Sequence, residues 1–252
     1  MVEARIGHRS RAPRPGRRRA GLARFGRVRH TVARAALFDV DGTLTDTNYL
    51  HVTSWWQALR GAGHEVAMCD IHRAIGLGSG DLLAHLLGDD RDRDGDSGIS
   101  AAHSTLYGTY FGRLTAFDSA GDLLRVLAGQ GWTNVLASSA SGPELAVLRR
   151  AIDADDVIAG TASSDDVRRG KPAPDPVRAA LDLAGVPAEN AVFVGDAVWD
   201  MQAASRAGVR SIAVLSGGIP RDALEAAGAD EVYENVGDLL ARLDDSLFAR
   251  TD

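Results

Sequence analysis

The stretch ALFDVDGTLTD (residues 36–46) decides how the chain is read. An apolar run, Ala36-Leu37-Phe38, passes directly into two aspartates separated by one valine. Side chains alternate along a strand, so Asp39 and Asp41 share one side while Val40 points the other way, into a core. Two like charges a few Å apart repel, and ionising both is costly unless a cation sits between them or they share a proton. Packing alone gives no reason to end a buried strand this way; chemistry does.

Outward from this stretch, apolar runs of strand length recur at 33–40, 132–139, 156–160, 191–196 and 211–216. Helical patterns fill 120–131, 142–151, 175–185 and 200–208, with Gly131, Gly185 and Gly208 at their C-terminal ends and Pro143 and Pro176 in first turns. The alternation predicts an α/β fold, a Rossmann-like parallel sheet with helices on both faces. Residues 48–117 interrupt it with helical patterns and no strand, too long for a plain crossover, and so predict an inserted α-helical subdomain. The expected organisation is a basic arm (1–34), an α/β core (35–47 and 118–252) and the helical insert (48–117).

Composition narrows the class. The chain of 252 residues has 45% hydrophobic and 25% charged residues, as soluble globular proteins do, and no apolar run reaches the ~18 residues of a membrane span. One cysteine, Cys69, excludes an internal disulfide and fits a reducing compartment, so a cytoplasmic protein is expected with Cys69 as a packing residue. Charge is uneven: residues 1–34 hold eleven arginines and one acid, about +10, against −16 for the rest, giving the net −6. This arm reads as a disordered tail or an over-extended start; a nucleic-acid partner is disfavoured because no folded nucleic-acid motif accompanies it. Against 27 arginines stands one lysine, Lys171, in RRGKPAPDP. A flexible point-charge ammonium is not freely replaced by a planar guanidinium, which marks Lys171 as a candidate functional residue.

In an open parallel sheet ligands bind beyond the carboxyl ends of the strands. That rule brings together Asp39, Asp41, Gly42 and Thr43 after the first strand, Ser138 and Ser139 after the second, Lys171, and Asp196 with Asp200 after the fourth. Clustered carboxylates suit Mg²⁺ working beside a substrate phosphate. The set fits phosphoryl transfer through an aspartyl-phosphate: one carboxylate attacks phosphorus, a second handles protons, and metal, ammonium and backbone N–H groups stabilise charge.

DVDGTLTD, LASS, GKPAPD and GDAVWD, in this order, resemble the four motifs of the haloacid dehalogenase superfamily on its phosphatase branch, over residues 35–240. The resemblance implies Asp39 as nucleophile and Asp41 as general acid/base. It implies Ser138 bonding the phosphoryl group and Lys171 neutralising it and orienting Asp39. Asp39, Asp196 and the Asp41 carbonyl would hold Mg²⁺, with Asp200 in support. Dehalogenation is disfavoured, since that branch resembles the pattern without the second aspartate. The insert then looks like the family's cap. GLGSGD (76–81) is an expected substrate-facing loop through Gly78 and Ser79, and DTNYLHVTSWW (46–56) resembles the hinge of sugar-phosphate phosphatases and β-phosphoglucomutase.

Gly42, Thr43, Ser139 and His51 complete the expected substrate contacts, with His51 equally readable as a hydrogen-bonded structural residue. Trp55 and Trp56 are expected to pack the insert. DRDRDGDSGISA (90–101) starts like a calcium loop but has Ala101 where the bidentate Glu belongs, so a solvated loop is expected. The expected function is Mg²⁺-dependent hydrolysis of a small phosphorylated metabolite, a sugar phosphate or a phosphoglycolate-like acid, by a monomer or homodimer. The alternatives are a β-phosphoglucomutase-like mutase and a non-catalytic binding protein with a basic arm.

Overall fold

The computed structural model describes residues 1–2 and 33–250. Among them, β1 (Arg34–Phe38), β2 (Trp132–Ala137), β3 (Ile158–Ala162), β4 (Ala191–Gly195), β5 (Arg210–Val214) and β6 (Glu231–Tyr233) form one parallel sheet in the order β3-β2-β1-β4-β5-β6. The chain lays β2 and β3 on one side of β1 and then β4, β5 and β6 on the other. The order therefore reverses at β1, and a crevice opens beyond its carboxyl end.

The strands are buried on both faces because helices cover both. Ala36, Phe38, Leu136, Val192, Val194 and Ile212 face one core cluster with α5 (Ala120–Gly129), α6 (Gly142–Ile152) and α10 (Val236–Ala241). Ala35, Leu37, Val135 and Phe193 face the other, with α7 (Asp175–Ala184) and α8 (Val198–Ala207). Helix α5 shows why these segments coil: Ala120, Leu123, Leu124 and Leu127 recur every three to four residues and are all buried. Gly185 takes the left-handed conformation that ends α7, with φ of 66°.

Residues 48–113 contain α1 (Asn48–Gly61), α2 (Met68–Ala74), α3 (Ser79–Leu87) and α4 (Asp96–Gly108) around a separate apolar cluster that includes Val52, Trp55, Leu59, Ile71 and Leu83. The insert leaves and re-enters the core side by side, with Phe117 N donating to Leu44 O (2.9 Å) and Asp46 N to Thr115 O (3.1 Å).

Several expectations change. β3 begins at Ile158 rather than 156, because Asp155 and Asp156 stay in water in a 3-10 turn ahead of it. Strand β6 and helices α9 (Arg221–Ala226) and α10 were not expected; a three-residue strand and helices of less than two turns are too short for their periods to show. The expected loop at 90–101 is partly helical, since α4 starts at Asp96, whose carboxylate is held 2.7 Å from Arg91. Cys69 is exposed on α2, not packed. Arg34 belongs to β1, so the boundary expected at residue 34 falls inside the first strand, and residues 3–32 of the arm lie outside the described residues. No helix among the described residues is long and apolar enough to cross a membrane.

Leu37 is fully buried in β1. Leu37→Ala is expected to cost about 2–5 kcal/mol through lost burial and the cavity left behind, read as a lower urea midpoint at unchanged slope.

Candidate active site

The ladder of β1 ends with Asp39 N donating to Val194 O at 2.9 Å, and the chain then winds around one carbonyl. Val40 O accepts from Thr43 N, Leu44 N and Thr45 N at 3.3, 2.8 and 3.0 Å, and from the Thr45 hydroxyl at 3.0 Å. The turn requires Gly42, whose φ is +78°; a Cβ there would collide with Asn48 and Asp196. Two aspartates are thereby presented beyond the strand end, and their surroundings differ sharply.

Asp39 belongs to a buried set. The fully buried Lys171 Nζ donates to Asp39 Oδ1 and lies 2.7 Å from Asp200 Oδ1. Asp200, in the first turn of α8, accepts with Oδ2 from Asp196 N (3.2 Å) and Ala197 N (3.0 Å). Asp196 accepts from the Thr43 hydroxyl (2.8 Å) and from Asn48 Nδ2 (2.9 Å). Burial pushes the Asp39 carboxyl well above its usual range, against the pull of Lys171. Burial, aided by the Asp200 charge, pushes Asp196 up to about 7. The Lys171 ammonium, though burial opposes its charge, is held above its ordinary value by Asp200 and Asp39.

Asp41 belongs to a second set. Its Oδ1 accepts from the Thr47 hydroxyl (2.6 Å) and from His51 Nε2 (3.3 Å). The same His51 Nε2 lies 3.5 Å from Glu144 Oε1, and His51 Nδ1 lies 3.2 Å from His103 Nε2. Removal from water favours neutral Asp41, but the His51 contact outweighs it and holds the carboxyl below the ordinary value. The converse holds for His51: burial opposes its charge, the bond to Asp41 outweighs burial, and its pKa is raised. Burial, with the His51 charge beside it, pushes His103 down to about 3, so neutral His103 accepts at Nε2 from His51 Nδ1–H. Burial pushes Glu144 up to about 7, with His51 opposing.

Between the two sets lies a cavity of about 130 Å³ lined by Asp39, Asp41, His51, Trp55, Ser139 and Glu144 among others. Asp39, Asp196 and Asp200 bring carboxylate oxygens within 4.8 Å of one another, all buried. Three carboxylates face one ammonium there, so the set is short of positive charge, and hard oxygen donors are what a divalent cation takes. These residues fit such an ion.

Of the expected substrate contacts, Ser79 and Ser139 line the cavity, and the Ser139 hydroxyl donates to Gly76 O (2.9 Å). Ser138 and Gly78 line an adjoining groove, and the Ser138 hydroxyl accepts from Ala140 N (3.0 Å). Gly42 and Thr43 do not face the cavity. Their N–H groups bond Thr45 O and Val40 O within the turn, and the Thr43 hydroxyl serves Asp196. Trp55 is buried and stacked on His103 at 4.1 Å, while Trp56 is half-buried on the insert. Sequence reasoning missed Asn48, His103 and Glu144. Asn48 and His103 are single polar residues on helices, and Glu144 reads as a first-turn acid favoured by the helix dipole.

Residues 33–208 match the family of haloacid dehalogenase-like hydrolases. The chain belongs to this family. Phosphoglycolate phosphatase of Rhodospirillum rubrum is 30% identical over 223 residues, covering 82% of this chain and 89% of that protein. Phosphoglycolate phosphatase of Escherichia coli is 29% identical over 143 residues, and the match spans only 57% of that protein's length and 55% of this chain. Among solved structures, a hydrolase from Pseudomonas syringae superposes with a TM-score of 0.80 at 35% identity, covering 84% of this chain and 98% of that one.

Lys171→Met leaves three carboxylates uncompensated and is expected to destabilise the metal-free protein by about 3–5 kcal/mol in urea unfolding. A Cβ at Gly217 would collide with Asp196 Oδ2. Gly217→Ala is therefore expected to weaken or abolish the rise in melting temperature that added divalent cation gives the wild type, at an unchanged circular dichroism spectrum.

Proposed function

We propose that the protein is a Mg²⁺-dependent phosphomonoesterase acting through an aspartyl-phosphate on a small phosphorylated metabolite, a sugar phosphate or a phosphoglycolate-like acid. The observation that carries this reading is the pairing of Asp39 with Lys171 beside the cavity while Asp41, two residues on, is bound to His51. The relatives named phosphoglycolate phosphatase support the reaction class.

In the first half-reaction Asp39 attacks phosphorus, forming an Asp39–phosphorus bond as the bond to the leaving oxygen breaks. Lys171 favours the ionised form of Asp39, in opposition to burial, and holds Oδ1, which leaves the other oxygen to attack. The leaving oxygen needs a proton. The Asp41 carboxyl is held below its ordinary value and the His51 imidazole above its own, so a proton shared between Asp41 Oδ1 and His51 Nε2 is the one delivered, with the pair acting as a unit. In the second half-reaction Asp41 accepts a proton from water as the water attacks phosphorus, phosphate departs and the Asp39 carboxylate is restored. Mg²⁺, when bound by Asp39 and Asp196 with the Asp41 carbonyl and with Asp200 in support, offsets charge on the transferring group. The helical insert acts as a cap: His51, Trp55, Leu82 and His103 form its side of the cavity and shape what enters.

Phosphate release from a panel of phosphorylated metabolites is the test. Turnover is expected with Mg²⁺, to be abolished by EDTA, and to fall by about three orders of magnitude or more in Asp39→Asn. Equal release by wild type and mutant would show that Asp39 is not the nucleophile.

A further inference from the structure

The cavity separates two kinds of leaving group by charge. Among the described residues lining it there is no lysine or arginine. Lys171 is fully buried and engaged by Asp39 and Asp200. His51, the lining residue best placed to carry positive charge, is already shared between Asp41 and Glu144 at 3.3 and 3.5 Å, and burial keeps the other histidine, His103, neutral. Two carboxyl groups thus share one imidazole in the lining.

Glu144 is placed to act on that group. Asp41, His51 and Glu144 bring their polar atoms within 4.8 Å of one another. If Asp41 meets the ester oxygen, Glu144 lies within a contact or two of the next carbons. In phosphoglycolate that position carries a carboxylate; in a polyol or sugar phosphate it carries a hydroxyl. Burial raises Glu144 to about 7, so above that pH its carboxylate repels a second carboxylate strongly in a site shielded from water, whereas it accepts a hydrogen bond from a hydroxyl. The hydroxyls of Ser79, Ser104, Ser139 and Ser141 along the same lining add donors and acceptors for a hydroxylated group.

We infer that Glu144 is a specificity-determining residue: it favours phosphomonoesters whose leaving group is uncharged and bears hydroxyls, and it turns away those with a carboxylate or second phosphate next to the ester, phosphoglycolate included. The inference rests on the phosphatase reading and departs from the substrate named for the relatives. One other route for an anionic group exists. Arg168 and Arg169 line the adjoining groove, which shares Ser79, Ser139 and Ser164 with the cavity, and Arg169 lies 3.5 Å from Asp175.

The test compares kcat/KM, above the pH at which Glu144 ionises, for glycerol 3-phosphate, 2-phosphoglycolate and p-nitrophenyl phosphate in wild type, Asp39→Asn, Glu144→Gln and Arg168→Ala. The wild type is expected to favour glycerol 3-phosphate over 2-phosphoglycolate by about tenfold or more, and Glu144→Gln to shrink that ratio about tenfold, chiefly through a lower KM for 2-phosphoglycolate. A wild-type preference for 2-phosphoglycolate overturns the inference without needing any variant to fold. Its loss in Arg168→Ala would move recognition of the carboxylate to the groove. Equal effects of Glu144→Gln on both substrates also overturn it. p-Nitrophenyl phosphate, with no ionised group beside the ester, reports on the chemistry alone: if its turnover does not depend on Asp39, the phosphatase reading fails, and the inference with it.

Discussion

The site depends on one buried ammonium. Lys171 reaches the carboxylates at the end of β1 and at the start of α8, joining segments that the sequence holds 132 and 29 residues away from it. A fully buried ion pair is weak evidence of stability, because taking both charges out of water costs about what their attraction returns. Its value here is positional. With Lys171 in place, Asp39 is held at the point where the sheet order reverses, and Asp200 is left one oxygen to bind the turn after β4. The Phe193 ring, 5.4 Å from Nζ, closes the apolar floor beneath.

Around that point the carboxylates divide into groups pushed in opposite directions. Burial and crowding raise Asp39 and Asp196, while the contact with His51 lowers Asp41. Two aspartates separated by a single valine thus acquire different properties from their partners alone, the division that the proposed reaction asks of an attacking group and a proton handler. The answer to why a strand ends in two like charges lies in this division: an ammonium serves one and an imidazole the other.

The second half of that arrangement comes from the insert. His51 is held by stacking on Tyr107 at 3.8 Å and by its bond to His103, which in turn stacks on Trp55. Aromatic surfaces on α1 and α4 therefore aim an imidazole that acts on a residue of the core. In the proposed reaction the insert would thus contribute to the chemistry through the orientation of His51.

Much was legible from the chain itself. The strands β1 to β5 and helices α5 to α8 follow from buried periodicity with glycine and proline at their ends. Asp39, Asp41, Asp196 and Asp200 follow from their places at strand ends, and Lys171 from its being the single lysine among 27 arginines. The three-residue β6 and the six-residue helices α9 and α10 escaped, as did the use made of Gly42 and Thr43, whose N–H groups close their own turn. Local pattern also said nothing of Glu144, 93 residues from His51, or of His103 and Asn48. The sequence by itself determined the parallel sheet and which carboxylates gather at its edge, because hydrophobic periodicity and turn chemistry act over a few residues. Only the tertiary structure decided that His51, with His103 and Glu144 beside it, meets Asp41, because these residues lie on helices whose packing across the crevice no local pattern encodes.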